Sequence, residues 1–146
     1  MVYQWKPASR IKANAQKAGE QFEELERTVG LTAKTLLEAN RSEDAPLHDE
    51  FEWNDTVAAE AYRENQAQYL IRMLCIAPDG KQKEPVRAYF VTEKEKVYDG
   101  LNVIMSDANK KSALLDIALR ELIAFKKKYS MLSELADVFS AIDKIA

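Results

Sequence analysis

Apolar positions recur at intervals of three and four residues through Ala18, Phe22, Leu25 and Val29, which predicts one buried face on a helix between Ile11 and Val29. Gly30 stops it. Leu31 and Thr32 then read as a staple residue and an N-cap for a short second helix, Ala33 to Asn40, with Leu36 and Leu37 facing inward. After a connection containing Ser42, Asp44 and Pro46, Asn54 or Asp55 is expected to cap a third helix, with Val57, Ala58, Ala61, Tyr62, Asn65, Tyr69 and Leu70 on its inner side. There the period changes. Met73 to Ile76 is unbroken apolar, Pro78-Asp79-Gly80 is a turn signal, and Val86 to Thr92 is β-branched and aromatic, so these segments predict a small antiparallel hairpin, with a third short strand near Lys96 to Val103. Ser106 or Asp107 opens a long helix striped by Leu114, Ala118, Leu122, Phe125 and Tyr129 and widened by Leu115, Leu119 and Ile123. Ser130 is placed to cap a last helix in which Leu132, Leu135, Val138, Phe139 and Ile142 repeat at near-heptad spacing.

The expected class is therefore α+β and mainly helical, with about five helices packed on a small antiparallel β-hairpin or three-stranded sheet. Length favours a single domain over 1–146, in four parts: a basic, aromatic N-terminal arm (1–10), a helical part (11–72), a β-hairpin part (73–103) and a C-terminal helical hairpin (106–146). The connection from Arg41 to Trp53 is expected to be ordered, because Leu47, Phe51 and Trp53 are costly to leave in water at about 25 cal/mol per Å². The arm is expected either to pack on the body or to extend toward a partner.

Composition narrows the class without naming an activity. With 47% hydrophobic and 31% charged residues and only four Gly and four Pro, the chain reads as globular rather than disordered. No apolar run nears the roughly 20 residues of a membrane helix, and the N-terminus lacks an apolar signal core, so no membrane partner and a cytoplasmic setting are expected. The single cysteine, Cys75, sits inside an apolar run and is expected to be buried and inert. Net charge is −3 but unevenly spread: the first 17 residues carry Lys6, Arg10, Lys12 and Lys17 and no acid.

Candidate chemistry is sparse. His48 stands with Asp49, Glu50 and Glu52, yet one histidine beside neighbouring acids does not supply the three spaced ligands of a catalytic zinc, so His48, Phe51 and Trp53 are assigned a structural role. The acid pairs Glu23-Glu24, Glu43-Asp44 and Glu93 with Glu95 read as solvated faces rather than paired carboxylates across a cleft. No catalytic residue, metal ligand or cofactor is expected. Positive charge beside aromatic rings, as in Tyr3-Gln4-Trp5-Lys6, suits stacking on bases with contacts to phosphate. The candidate nucleic-acid or partner contacts are Trp5, Lys6, Arg10 and Lys12 in the arm, Lys81 and Lys83 in the hairpin turn, Arg87 on a strand, and Lys110 and Lys111 at a helix start. Lys126-Lys127-Lys128, at a helix C-terminus, complement the helix dipole instead.

Leu31-Thr32, Leu37-Glu38-Ala39, Ala45-Pro46-Leu47-His48, Phe51-Glu52-Trp53, Ala58-Ala59, Tyr62-Arg63, Gln66-Ala67 and Leu70-Ile71-Arg72 resemble a family of uncharacterised proteins encoded by bacteriophages and prophages. Tyr3 to Lys6, Arg10 to Lys12, Val86 to Phe90 and Ala118 to Leu122 extend the resemblance over nearly the whole chain. The resemblance implies a phage or mobile-element setting, in the bacterial cytoplasm or a virion, and brings no activity. With the charge placement, it leads to the expectation of a non-enzymatic phage accessory protein that binds nucleic acid or a nucleoprotein complex. The alternative is a protein-binding or self-assembling module, an inhibitor of a host defence protein or a virion component, joined as a homo-oligomer through the 132–142 helix face.

Overall fold

The computed structural model describes residues 1–80, 84–93 and 96–146. It is α+β and mainly helical, and by its internal packing it divides into two compact units, Met1–Val103 and Ile104–Ala146. Among the described residues there are six α-helices, one more than the pattern suggested, and two single 3-10 turns, His48–Glu50 and Ser133–Leu135. No helix among them is long and apolar enough to cross a membrane.

In the first unit, strand β1 (Tyr3–Trp5) precedes helix α1 (Ala15–Thr28), whose N-cap Asn14 accepts a hydrogen bond from the Lys17 amide. Ala18, Gly19 and Phe22 form its buried side, and Leu25 packs beside them, while Val29 is 67% exposed and lies past the helix end rather than on its inner face. Gly30, at φ +85°, turns the chain back, its amide closing on the Leu25 carbonyl at 2.8 Å. Thr32 caps α2 (Ala33–Ala39) in a reciprocal box with Thr35, and Leu36 and Leu37 are fully buried.

Helix α3 (Glu60–Met73) starts later than the sequence suggested. Neither Asn54 nor Asp55 caps it: its N-cap is Ala59, without a side-chain bond, because Asn54 is used locally to hold a turn through the amide and hydroxyl of Thr56. Its buried side is Arg63, Ala67, Leu70 and Ile71, whereas Tyr62 and Tyr69, expected inside, are 51% and 40% exposed. The helix passes directly into β2 (Leu74–Ile76), the centre of an antiparallel sheet in the order β1-β2-β3, where β3 is Val86–Arg87.

The expected hairpin of β2 and β3 is present, with Cys75 opposite Arg87 and Ile76 opposite Val86. Its third strand, however, is the N-terminal segment: Tyr3 pairs with Ile76, Gln4 with Cys75 and Trp5 with Leu74, so the arm is ordered as an edge strand. The segment near Lys96 to Val103 does supply a strand, β5 (Tyr98–Gly100), but in a second sheet with β4 (Tyr89–Val91). Edge-to-face packing of Phe22 on Tyr89, with centroids 5.5 Å apart, ties α1 to that second sheet inside the main core.

Arg41 clamps the ends of α2 and α3 together. Its guanidinium donates to both oxygens of Glu38 at 3.0 and 2.9 Å and to Glu60 at 2.6 Å. Chiefly through these bonds, both carboxyls are held below the usual carboxylate range. A carboxyl depressed in the folded state stabilises it at neutral pH and loses that contribution as pH falls through its folded value. Thermal melts across the acid range are therefore expected to fall less steeply for Arg41→Gln than for the native chain; parallel curves would remove the clamp from the acid response.

The division between the units falls within α4 (Leu101–Ser106), and in the second unit Asp107, not Ser106, caps α5 (Ala108–Tyr129) by accepting from the amides of Asn109 at 2.9 Å and Lys110 at 3.1 Å. Ser130 closes α5 instead of capping the last helix, α6 (Ala136–Ile145), which is entered through the 3-10 turn. Phe125 and Phe139, 6.4 Å apart, and an ion pair of Lys126 with Asp143 hold α5 and α6 as a hairpin.

Candidate functional site

Where the arm, the end of α3 and the small sheet meet, the first unit carries a groove of about 840 Å³ lined by Lys6, Tyr69, Arg72, Cys75, Glu84 and Arg87, among others. Each is placed by local structure. Lys6 follows β1 and its amide bonds to the Met73 carbonyl at 2.8 Å, which brings the arm against the last turn of α3. Tyr69 and Arg72, three residues apart, lie on one side of that helix end. The β2–β3 register sets Arg87 across from Cys75, with the Arg87 guanidinium bonded to the Tyr89 carbonyl at 2.9 Å and poised over the Phe90 ring.

The groove thus gathers three cations, one acid and one half-exposed phenol. Burial pushes the Cys75 thiol up, and the opposing pull of Lys6 and Arg87 does not reverse it, so the sulfur stays a thiol at neutral pH. Three cations beside a ring can hold an anion by charge and ring contact.

The sequence candidates divide among several places. Lys6 and Arg87 meet in the groove; Lys81 and Lys83 fall outside the described residues. Trp5 is half-buried with its indole N–H donating to the Ala13 carbonyl at 2.6 Å, so its ring anchors the arm. Arg10 and Lys12 share a separate hollow with Asp49 and Glu50, and one Glu50 oxygen accepts the amides of Lys12 and Ala13 at 2.8 and 2.7 Å. Those two cations lie outside the groove, in a hollow that acids also line. Lys110 and Lys111 stand in the first turn of α5, in the second unit.

Around His48, the ring stacks on Trp53 with centroids 4.8 Å apart and a tilt of 10°, and its Nδ1 lies 2.9 Å from the Asn40 carbonyl, a geometry in which that nitrogen donates. Trp53 in turn donates to the His48 carbonyl at 2.8 Å, and Phe51 is buried beside it. Glu50 and Glu52 are spent on backbone amides, and no group of three His, Cys, Asp or Glu among the described residues is arranged to hold a metal ion.

Sequence reasoning passed over Arg72 and Tyr69 as contact residues and over Arg63 and Asn40 as structural ones. Arg72 had a signal: it is the one charge interrupting the apolar run Leu70 to Ile76. Arg63 had none visible. Only 5% exposed, it donates to the Glu52 carbonyl at 2.8 Å, pairs with Asp55 and Glu60, and lies over the Trp53 ring, bonds that depend on how the 41–59 connection folds back. No family model, curated protein or solved structure matches the chain.

Proposed function

We propose that this is a non-enzymatic accessory protein of a bacteriophage or prophage that binds nucleic acid, with the groove of Lys6, Arg72 and Arg87 as its contact to the phosphate backbone. The observation that carries this reading is the convergence of three cations from three segments distant in sequence beside the half-exposed Tyr69 ring. Cations fix a phosphate chain without reading its sequence, and an aromatic ring at the rim stacks on an unpaired base, so the groove suits single strands better than a closed duplex. Glu84 in the lining limits net attraction and keeps the expected affinity modest at physiological salt.

Fluorescence anisotropy of labelled single-stranded and duplex DNA, titrated at two or more salt concentrations, tests it. Three neutralised phosphates give a log–log salt slope of about −2 for single strands. Arg72→Gln with Arg87→Gln is expected to weaken binding at low salt by at least about tenfold and to flatten the slope by more than one unit. Absence of binding at low salt, or a slope untouched by the double substitution, overturns the proposal.

A further inference from the structure

We infer that the contact surface extends from the groove along the exposed side of α3, as a track for an unpaired strand of about four to six nucleotides in which Tyr62 and Tyr69 are successive stacking platforms and Arg10 holds the far phosphate. This rests on the reading of Lys6, Arg72 and Arg87 as phosphate contacts, and adds the kind of strand and its length. A second hollow, of about 320 Å³, opens beside the groove, lined by Arg10, Ile11, Glu50, Tyr62, Asn65 and Tyr69, among others. Tyr69 lines both hollows and so forms the wall they share. From Tyr62 to Tyr69 is two helical turns, which sets the two rings on one side of α3, about 10 Å apart along its axis. Asn65 falls between them, and Arg72 continues the row one turn further, into the groove.

The side chains of this row are uncommitted. Tyr62 and Tyr69 are half-exposed, and among the described residues neither ring pairs with another ring or a cation, while the side chains of Lys6, Arg10, Arg72 and Asn65 make no hydrogen bond or ion pair. Glu50, the acid of the second hollow, is held by the amides of Lys12 and Ala13 at 2.8 and 2.7 Å. Charge complementarity names the occupant: cations stand at both ends of the row, with two flat rings and a carboxamide between them. A single strand offers phosphates to the cations, base faces to the rings and base edges to Asn65. In a closed duplex the base faces are stacked inside, out of reach of a ring on a helix surface, and an acidic peptide has anions but no flat groups at this spacing.

Anisotropy of labelled oligothymidylates of about three, six and ten nucleotides at low salt reads the track on the native chain. Affinity is expected to rise at least about tenfold from three to six and to change by less than about threefold from six to ten. Tyr62→Ala is expected to weaken the six-nucleotide strand at least about fivefold, and Tyr62→Phe to keep the native affinity, because the ring and not the hydroxyl stacks. Arg10→Gln should flatten the single-strand salt slope by about 0.7 unit, the loss of one phosphate contact. Equal affinity for three and six nucleotides, or unchanged binding by Tyr62→Ala, overturns the track; if Arg72→Gln with Arg87→Gln still weakens binding, the groove stands without it. Binding of no strand at low salt overturns both. A loss in Tyr62→Ala as large for duplex DNA or for polyglutamate as for the single strand overturns the choice of occupant. Should Tyr62→Ala lose native circular dichroism, the length series on the native chain decides.

Discussion

Replacing Asn40 by alanine is expected to destabilise the Met1–Val103 unit by about 4 kcal/mol. Asn40 is fully buried at the end of α2. Its side-chain amide donates to the Leu36 carbonyl at 2.8 Å and to Gln21 at 2.9 Å, and its oxygen accepts the Leu47 amide at 2.9 Å. Alanine removes all three bonds and orphans two backbone groups, each costing about 1–3 kcal/mol when shut away from water. The bond from Leu47 also holds the 41–53 connection down, so its loss loosens the seat of His48 and Trp53. Chemical denaturation of the variant should show a lower midpoint with an unchanged slope, together with earlier loss of the near-ultraviolet tryptophan signal. A midpoint within error of the native value would mean that Asn40 is not what pins the connection.

The second large effect is expected at Gly19. Alanine inside a helix normally gains about 1 kcal/mol over glycine, yet here a Cβ would meet the Tyr3 ring at 2.0 Å from Cδ2 and 2.5 Å from Cγ. The ring cannot swing away cheaply, because β1 is paired along β2 and the Tyr3 hydroxyl donates to Glu23 at 2.6 Å. Burial, reinforced by Glu23, also pushes that hydroxyl far above its ordinary range, so it remains a donor at all working pH values. The strand must shift, and we expect a net loss of about 3 kcal/mol, or a melting temperature lower by roughly 12–20 °C. Tyr3→Ala should cost much less in the Gly19→Ala background than in the native chain, since one clash underlies both. Additive losses in that cycle would contradict the packing of β1 on α1.

Much of this fold is legible in local pattern. Phe22 and Leu25 at helical spacing, Gly30 as a stop and Thr32 as a cap mark the first two helices because those signals act within one or two turns. Less legible is anything set by long-range pairing. Tyr3 to Trp5 reads as an aromatic arm because its partner strand lies at Leu74 to Ile76, and no local signal joins the two. Helix α3 shows the same limit: its exposed tyrosines look like core, and its buried Arg63 looks like surface, because the segment that supplies Asp55 and the Glu52 carbonyl folds over it from outside the helix. Of the candidate contacts, Lys6 and Arg87 are legible as charges, but their meeting beside Arg72 follows only from the strand register.

That register also constrains how the protein is made. During translation β1, carrying Tyr3 and Trp5, finds no partner until Ile76 has been added and has emerged, and the Gly100 amide that Glu26 receives at 2.7 Å comes later still. Until then the aromatic edge of β1 lacks its partner strand, which favours slow, late closure of the sheet.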